Sequence, residues 1–131
     1  MRAESTAGDT LAAIGPFYDT AGLTAWLAVT RQVVRTQVSG RRMLALTTTD
    51  IPPRTLYPAW QFTGEGVVLA GVAEALQALA PGGWSDLTTA LWFVGAVDEL
   101  NGASAAQWLQ DDRPVKAVVD MARRDVAAWK R

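Results

Sequence analysis

Two pairs of adjacent carboxylates are the residues best suited to acid–base chemistry in this chain. Asp98–Glu99 and Asp111–Asp112 have the side-chain type of a general acid and a general base. Adjacent positions on a helix point in different directions, however, and no nucleophile, base or phosphate-binding glycine loop accompanies the pairs. The chain has no histidine and no cysteine, which excludes Ser-His-Asp triads, thiolate nucleophiles and Cys/His zinc sites. We therefore expect solvated helix caps, no enzymatic activity, no metal and no cofactor.

A second set of residues has the side-chain types that contact DNA. The net charge of −1 conceals a segregation, because residues 31–54 have five arginines and one acid and residues 64–112 have seven acids and no base. Arginine and glutamine hydrogen-bond guanine and adenine in the major groove, and further arginines bind phosphate. We predict base contacts from Arg31, Gln32, Arg35 and Gln37 and phosphate contacts from Arg41, Arg42 and Arg54. The alternative is a helical hairpin with solvated arginines.

The local pattern predicts two short helices that would position these side chains. Asp19–Thr20 precedes a run over residues 21–27 with apolar positions at helical spacing, and Thr30 precedes a second run over residues 31–38. Two short helices joined by a tight turn, with polar donors on the outer face of the second, are typical of a helix-turn-helix.

A β-hairpin is predicted after the second helix. Residues 43–49 and 54–57 are strand candidates, separated by a turn at Asp50–Pro53. Such a hairpin is either a wing that contacts DNA or a brace for the helices. Trp60 and Phe62 are predicted to lie in the core, and Gln61 between them to hydrogen-bond the backbone.

The second half of the chain predicts four helices. The first covers residues 69–79, and the next begins after Ser85 or Asp86. A short helix follows Ser104, and a long one follows Asp111–Asp112. The predicted fold class is mainly α: a small winged helix-turn-helix region over residues 1–62, with one short β-hairpin, followed by a compact four-helix domain over residues 63–131.

Several short motifs resemble the Xre/MbcA/ParS antitoxins. They are Leu-Tyr-Pro-Ala-Trp-Gln-Phe at 56–62, Gly-Val-Val-Leu-Ala-Gly at 66–71, Trp-Phe-Val at 92–94, Leu-Asn-Gly-Ala-Ser at 100–104 and Trp-Leu at 108–109. Ala105 stands where the family pattern has proline. The resemblance implies an antitoxin that neutralises a RES-domain, NAD-consuming toxin by binding it and represses its own operon by binding promoter DNA. The implied toxin-binding residues are Leu100, Gly102, Ser104, Trp108, Leu109, Arg123 and Arg124.

Two other functions are compatible with the sequence. One is a helix-turn-helix transcription regulator without a toxin, and the other is a protein-interaction module with a vestigial DNA-binding region. We expect a homodimer, since half-site recognition favours two-fold symmetry. The N-terminus lacks the basic and apolar segments of a signal peptide, and no apolar run approaches the about 20 residues that span a bilayer. The expected location is therefore the cytoplasm.

Overall fold

The computed structural model describes residues 11–129 and is mainly helical, as predicted. Residues 1–10 and 130–131, at the outer ends of the two predicted regions, lie outside the described residues. Residues 11–14 are helical, and 3-10 turns cover Ala59–Gln61, Ala80–Gly82 and Asp98–Leu100. The strands are β1 Phe17–Asp19, β2 Leu46–Thr47 and β3 Thr55–Pro58; the helices are α1 Thr20–Leu27, α2 Arg31–Ser39, α3 Val72–Leu79, α4 Asp86–Val94, α5 Ala105–Gln110 and α6 Val115–Trp129.

The first two helices begin at the residues that the capping pattern predicts. The Asp19 carboxylate accepts the Gly22 N–H at 2.7 Å, and the Thr30 hydroxyl accepts the Val33 N–H at 3.2 Å. These bonds satisfy backbone donors that have no partner in the first turn of a helix. Ala28 ends α1 in the left-handed conformation, at φ 56° and ψ 44°. A turn of three residues therefore separates α1 from α2.

The sheet has three antiparallel strands in the order β1-β3-β2. The predicted hairpin corresponds to β2 and β3 and does not include β1. β3 pairs with β1 through Tyr18 and Tyr57 and with β2 through Leu46 and Leu56. The predicted strand over residues 43–49 shrinks to two residues. Its first part does not join the sheet, because the side chain of Gln61 occupies both backbone hydrogen-bonding groups of Leu44.

Two hydrophobic clusters form the core. The smaller one, here called the head core, lies between α1, α2 and the sheet. The larger one, the body core, is built mainly by α3–α6, but Ile14, Leu44 and Leu46 belong to it as well. The body core therefore crosses the predicted boundary between residues 62 and 63. The head core consists of Leu23, Val34, Met43, Ala45, Tyr57 and Phe62.

The helices of the second half also follow local signals. Ser85 caps α4, and Ser104 caps α5 in a reciprocal bond pair with Gln107. The predicted helix over residues 69–79 begins only at Val72, because Gly71 has a φ of +95° that a helix does not allow. None of the helices described between residues 11 and 129 is both long and apolar enough to cross a bilayer.

Candidate nucleic-acid interface

The outer face of α2 presents the first three predicted base-contacting residues to solvent. Arg31, Gln32 and Arg35 are exposed, whereas Val34 is 1% exposed and packs into the head core. Among residues 11–129, no carboxylate lies within 4.0 Å of the guanidinium groups of Arg31 and Arg35. Within the described part of the chain, these two arginines therefore have no ion-pair partner.

A groove joins these arginines to the sheet. Arg31 and Arg35 line a cavity of about 360 Å³ together with Thr47 of β2 and Thr55 of β3. Asp86, the first residue of α4, lines the same cavity and places one carboxylate at its edge. Basic side chains and threonine hydroxyls thus share one concave surface between α2 and the β2–β3 pair.

The loop over residues 48–54, here called the β2–β3 loop, is closed by its own hydrogen bonds. The Thr48 N–H donates to the Arg54 carbonyl at 2.8 Å, and the Arg54 N–H donates to the Thr48 hydroxyl at 2.8 Å. The Arg54 guanidinium also pairs with Asp50 at 2.7 Å. The predicted phosphate ligand Arg54 is therefore exposed, but its charge is shared with a neighbouring carboxylate.

The other predicted DNA contacts divide between surface and interior. Arg42 is exposed, and Gln37 is half-buried against a small cavity that Val33 and Met43 also line. Arg41 is half-buried, and its guanidinium donates to the Leu76 carbonyl of α3 at 3.2 Å. Its φ of 57° turns the chain directly after α2. In this arrangement Arg41 links α2 to α3 and does not lie on the exposed face of the helix.

Two residues that sequence reasoning missed lie on the same exposed surface of α2. Thr36 is exposed one turn after Gln32, and its hydroxyl donates to the Gln32 carbonyl at 2.9 Å. Val33, which lies beside the buried Val34, is 44% exposed. The sequence spacing identifies Thr36 as part of this surface, because residues four apart, such as Gln32 and Thr36, are neighbours on one helical face.

The residues that the antitoxin resemblance implies for toxin binding are divided differently. Leu100, Ser104 and Leu109 are 2%, 6% and 4% exposed. The two leucines belong to the body core, and Ser104 caps α5. Gly102 is exposed at a turn, with a φ of +85°. These positions stabilise the fold, and of the four only Gly102 is open to a partner.

The remaining predicted toxin contacts lie at or near the surface. Trp108 is half-buried and donates its indole N–H to the Pro114 carbonyl at 2.8 Å, with the Arg113 guanidinium 4.9 Å from its ring centre. Arg123 and Arg124 are exposed on α6, and Arg124 pairs with Glu99 of the turn before α5. In the described part of the chain, no group of three or more carboxylates comes together as a metal site.

Comparison with known proteins identifies a similar fold but does not identify a family. No protein-family model matches the chain, and no curated protein matches it. Among solved structures, the chain is similar to the NMR structure of Rv2175c from M. tuberculosis, with a TM-score of 0.73 and 20% sequence identity. The similarity covers 85% of this chain and 81% of that chain. At this identity the likeness shows a shared fold, and it extends over most of both chains.

Proposed function

We propose that this chain binds duplex DNA through the exposed face of α2 and acts as a transcription regulator. In this proposal α1 and α2 form a helix-turn-helix, and the β2–β3 pair is its wing. The observation that carries the proposal is the exposure of Arg31, Gln32 and Arg35 on the first turns of a helix whose opposite side is buried. The side chains that hydrogen-bond guanine and adenine in the major groove are of these types.

The charge distribution supports the same surface. The exposed guanidinium of Arg42 extends the basic side chains beyond the end of α2, and no carboxylate of residues 11–129 lies within 4.0 Å of it. The positive end of the α2 dipole lies beside Arg31 and favours a phosphate there. One such helix covers only a short half-site, so the proposed functional form is a homodimer on promoter DNA.

The experiment is a fluorescence-anisotropy titration of a labelled duplex taken from the region upstream of the gene. We expect each of Arg31→Ala and Arg35→Ala to cost about 1–3 kcal/mol of binding free energy, so the double variant, at about 2 kcal/mol or more, binds at least about thirtyfold more weakly. The matched control is Lys116→Ala with Arg123→Ala, which removes two exposed charges from α6. It should leave affinity within about threefold of wild type. Equal affinities for wild type and the α2 double variant would remove α2 from the interface.

The second candidate function is the antitoxin that the sequence resemblance implies. It is favoured by large apolar side chains exposed on the helices of the second half, where Leu87 is 42%, Leu91 39% and Trp129 67% exposed. Exposed apolar groups of this size are common at protein–protein contacts. Co-expression with the product of the adjacent gene tests the proposal. A stable complex with a RES-domain protein, weakened by Leu91→Ser, is the expected result, and separate elution of the two proteins contradicts it.

A further inference from the structure

Ile51, at the tip of the β2–β3 loop, is exposed to an unusual degree. Its exposed fraction is 99%, whereas the next large apolar side chain within residues 11–129 is Trp129 at 67%. Pro52 and Pro53 follow it directly and are also exposed. The tip of the loop is therefore an apolar projection with no packing role within the described part of the chain.

The loop holds this projection in a fixed shape. Thr48 and Arg54 exchange two hydrogen bonds at its base, both at 2.8 Å. The Asp50–Arg54 ion pair closes the loop a second time on the side of the tip. Two consecutive prolines restrict the backbone further. A contact made by a preorganised tip costs less conformational entropy than one made by a free loop.

Thr47 and Thr55, the residues on either side of the loop, line the groove that contains the α2 arginines. Thr47 lines the cavity shared with Arg31 and Arg35, and it also lines a second cavity, of about 510 Å³, together with Asp50 and Arg54. The four residue-to-residue steps from Thr47 to Ile51 span at most about 13 Å at the rise of a strand. This reach is comparable with the about 12 Å width of the major groove. The loop tip therefore lies within about one groove width of the cavity that Arg31 and Arg35 line.

We propose that Ile51 is an apolar wedge that enters the minor groove beside the α2 site, partly unstacks one base step and bends the DNA. The inference rests on the proposed function and adds a deformation that α2 alone does not produce. Isoleucine and proline are among the side chains that unstack base steps from the minor groove. The carboxylate of Asp50 pairs with the guanidinium of Arg54, so the loop tip is not a strongly cationic group. The ligand class is duplex DNA with a flexible pyrimidine–purine step.

The test uses the full chain and two duplexes of about 30 bp with identical base composition. One duplex has TA steps one helical turn apart, and in the other each TA step is reversed to AT. Binding is measured by anisotropy, and bending by energy transfer between dyes on the duplex ends. We expect wild type to bend the TA duplex more and to bind it about three- to tenfold more tightly. Ile51→Ser should still bind but should lose both preferences.

Two comparisons make the result specific. Val67→Ser is the matched control, because Val67 is a β-branched apolar residue with 60% exposure on the loop after Phe62; it should bend DNA as wild type does. Ile51→Leu should retain the TA preference, since leucine keeps the apolar volume. Unchanged circular dichroism of Ile51→Ser excludes misfolding as the cause of the loss.

The two proposals fail in different ways. Failure of wild type to bind either duplex at low salt overturns DNA binding and the wedge together. Binding without bending, or equal bending by wild type and Ile51→Ser, overturns the wedge alone. If Ile51→Ser instead dissociates a dimer in sedimentation while bending is unchanged, the tip is a self-association contact and the wedge is wrong.

Discussion

Replacing Gln61 by leucine is expected to destabilise the protein strongly, although no charge and little volume changes. The Gln61 side chain lies in the turn after β3 and is 0% exposed. Its carbonyl oxygen accepts the Leu44 N–H at 2.8 Å, and its amide nitrogen donates to the Leu44 carbonyl at 2.8 Å. Leu44 itself is 2% exposed, so water cannot replace the lost partner without entering the core.

The size of the effect follows from the two backbone groups that lose their partner. A buried donor or acceptor without a hydrogen bond costs roughly 1–3 kcal/mol, so the two groups of Leu44 together cost about 2–6 kcal/mol. The apolar gain of leucine over glutamine offsets about 1 kcal/mol of this. The remaining loss of about 1–5 kcal/mol is a large part of the unfolding free energy of a typical domain, which is about 5–15 kcal/mol.

Urea denaturation followed by circular dichroism measures the loss. With an m-value of about 2 kcal/mol/M, a loss of about 1–5 kcal/mol should lower the midpoint of Gln61→Leu by about 0.5–2.5 M. Gln110→Leu is the matched control, because the Gln110 amide makes one exposed bond of 3.2 Å to the Trp60 carbonyl, which water can replace. A change below about 0.5 kcal/mol in Gln61→Leu, equal to an ordinary surface substitution, would refute the reasoning.

Two further substitutions test backbone conformation. Ala28→Gly should raise the unfolding free energy by about 0.5–1 kcal/mol, because glycine relieves the left-handed strain at φ 56°. Ala25→Gly, inside α1, should instead lower the unfolding free energy by about 1 kcal/mol. Shifts of the melting temperature in the same direction for both variants would contradict this. Gly71→Ala should cost more than about 2 kcal/mol, because its Cβ would lie 2.7 Å from Leu109 Cδ2 at a φ of +95°. Gly64→Ala, with no heavy atom within 4 Å, should be nearly neutral in the same measurement.

The elements set by neighbouring residues could be predicted from sequence. Asp19, Thr30, Ser85 and Ser104 cap helices as expected, because a cap needs only the backbone N–H two or three residues ahead. The backbone role of Gln61 is confirmed as well. Its position between two aromatic residues predicted burial, and a buried amide requires partners.

Features set by distant contacts could not be predicted. β1 has three residues and no clear alternation, and only pairing with Tyr57 and its neighbours makes it a strand. The direction of Arg41 depends on its positive φ and on Leu76, which is 35 residues away. The Leu-x-Gly-x-Ser motif likewise does not reveal that Leu100 and Ser104 turn inward, because a motif gives spacing and not the direction of its side chains.

The shared body core has a consequence for how this protein can change. Ile14, Leu44 and Leu46 come from the half that contains α2, yet they pack among the helices of the other half. Joining this first half to the second half of an unrelated protein would leave these three apolar side chains without the core residues against which they pack. Each half therefore depends on the other for a complete core, and exchange of either half for an unrelated one is expected to lower the stability of the whole chain.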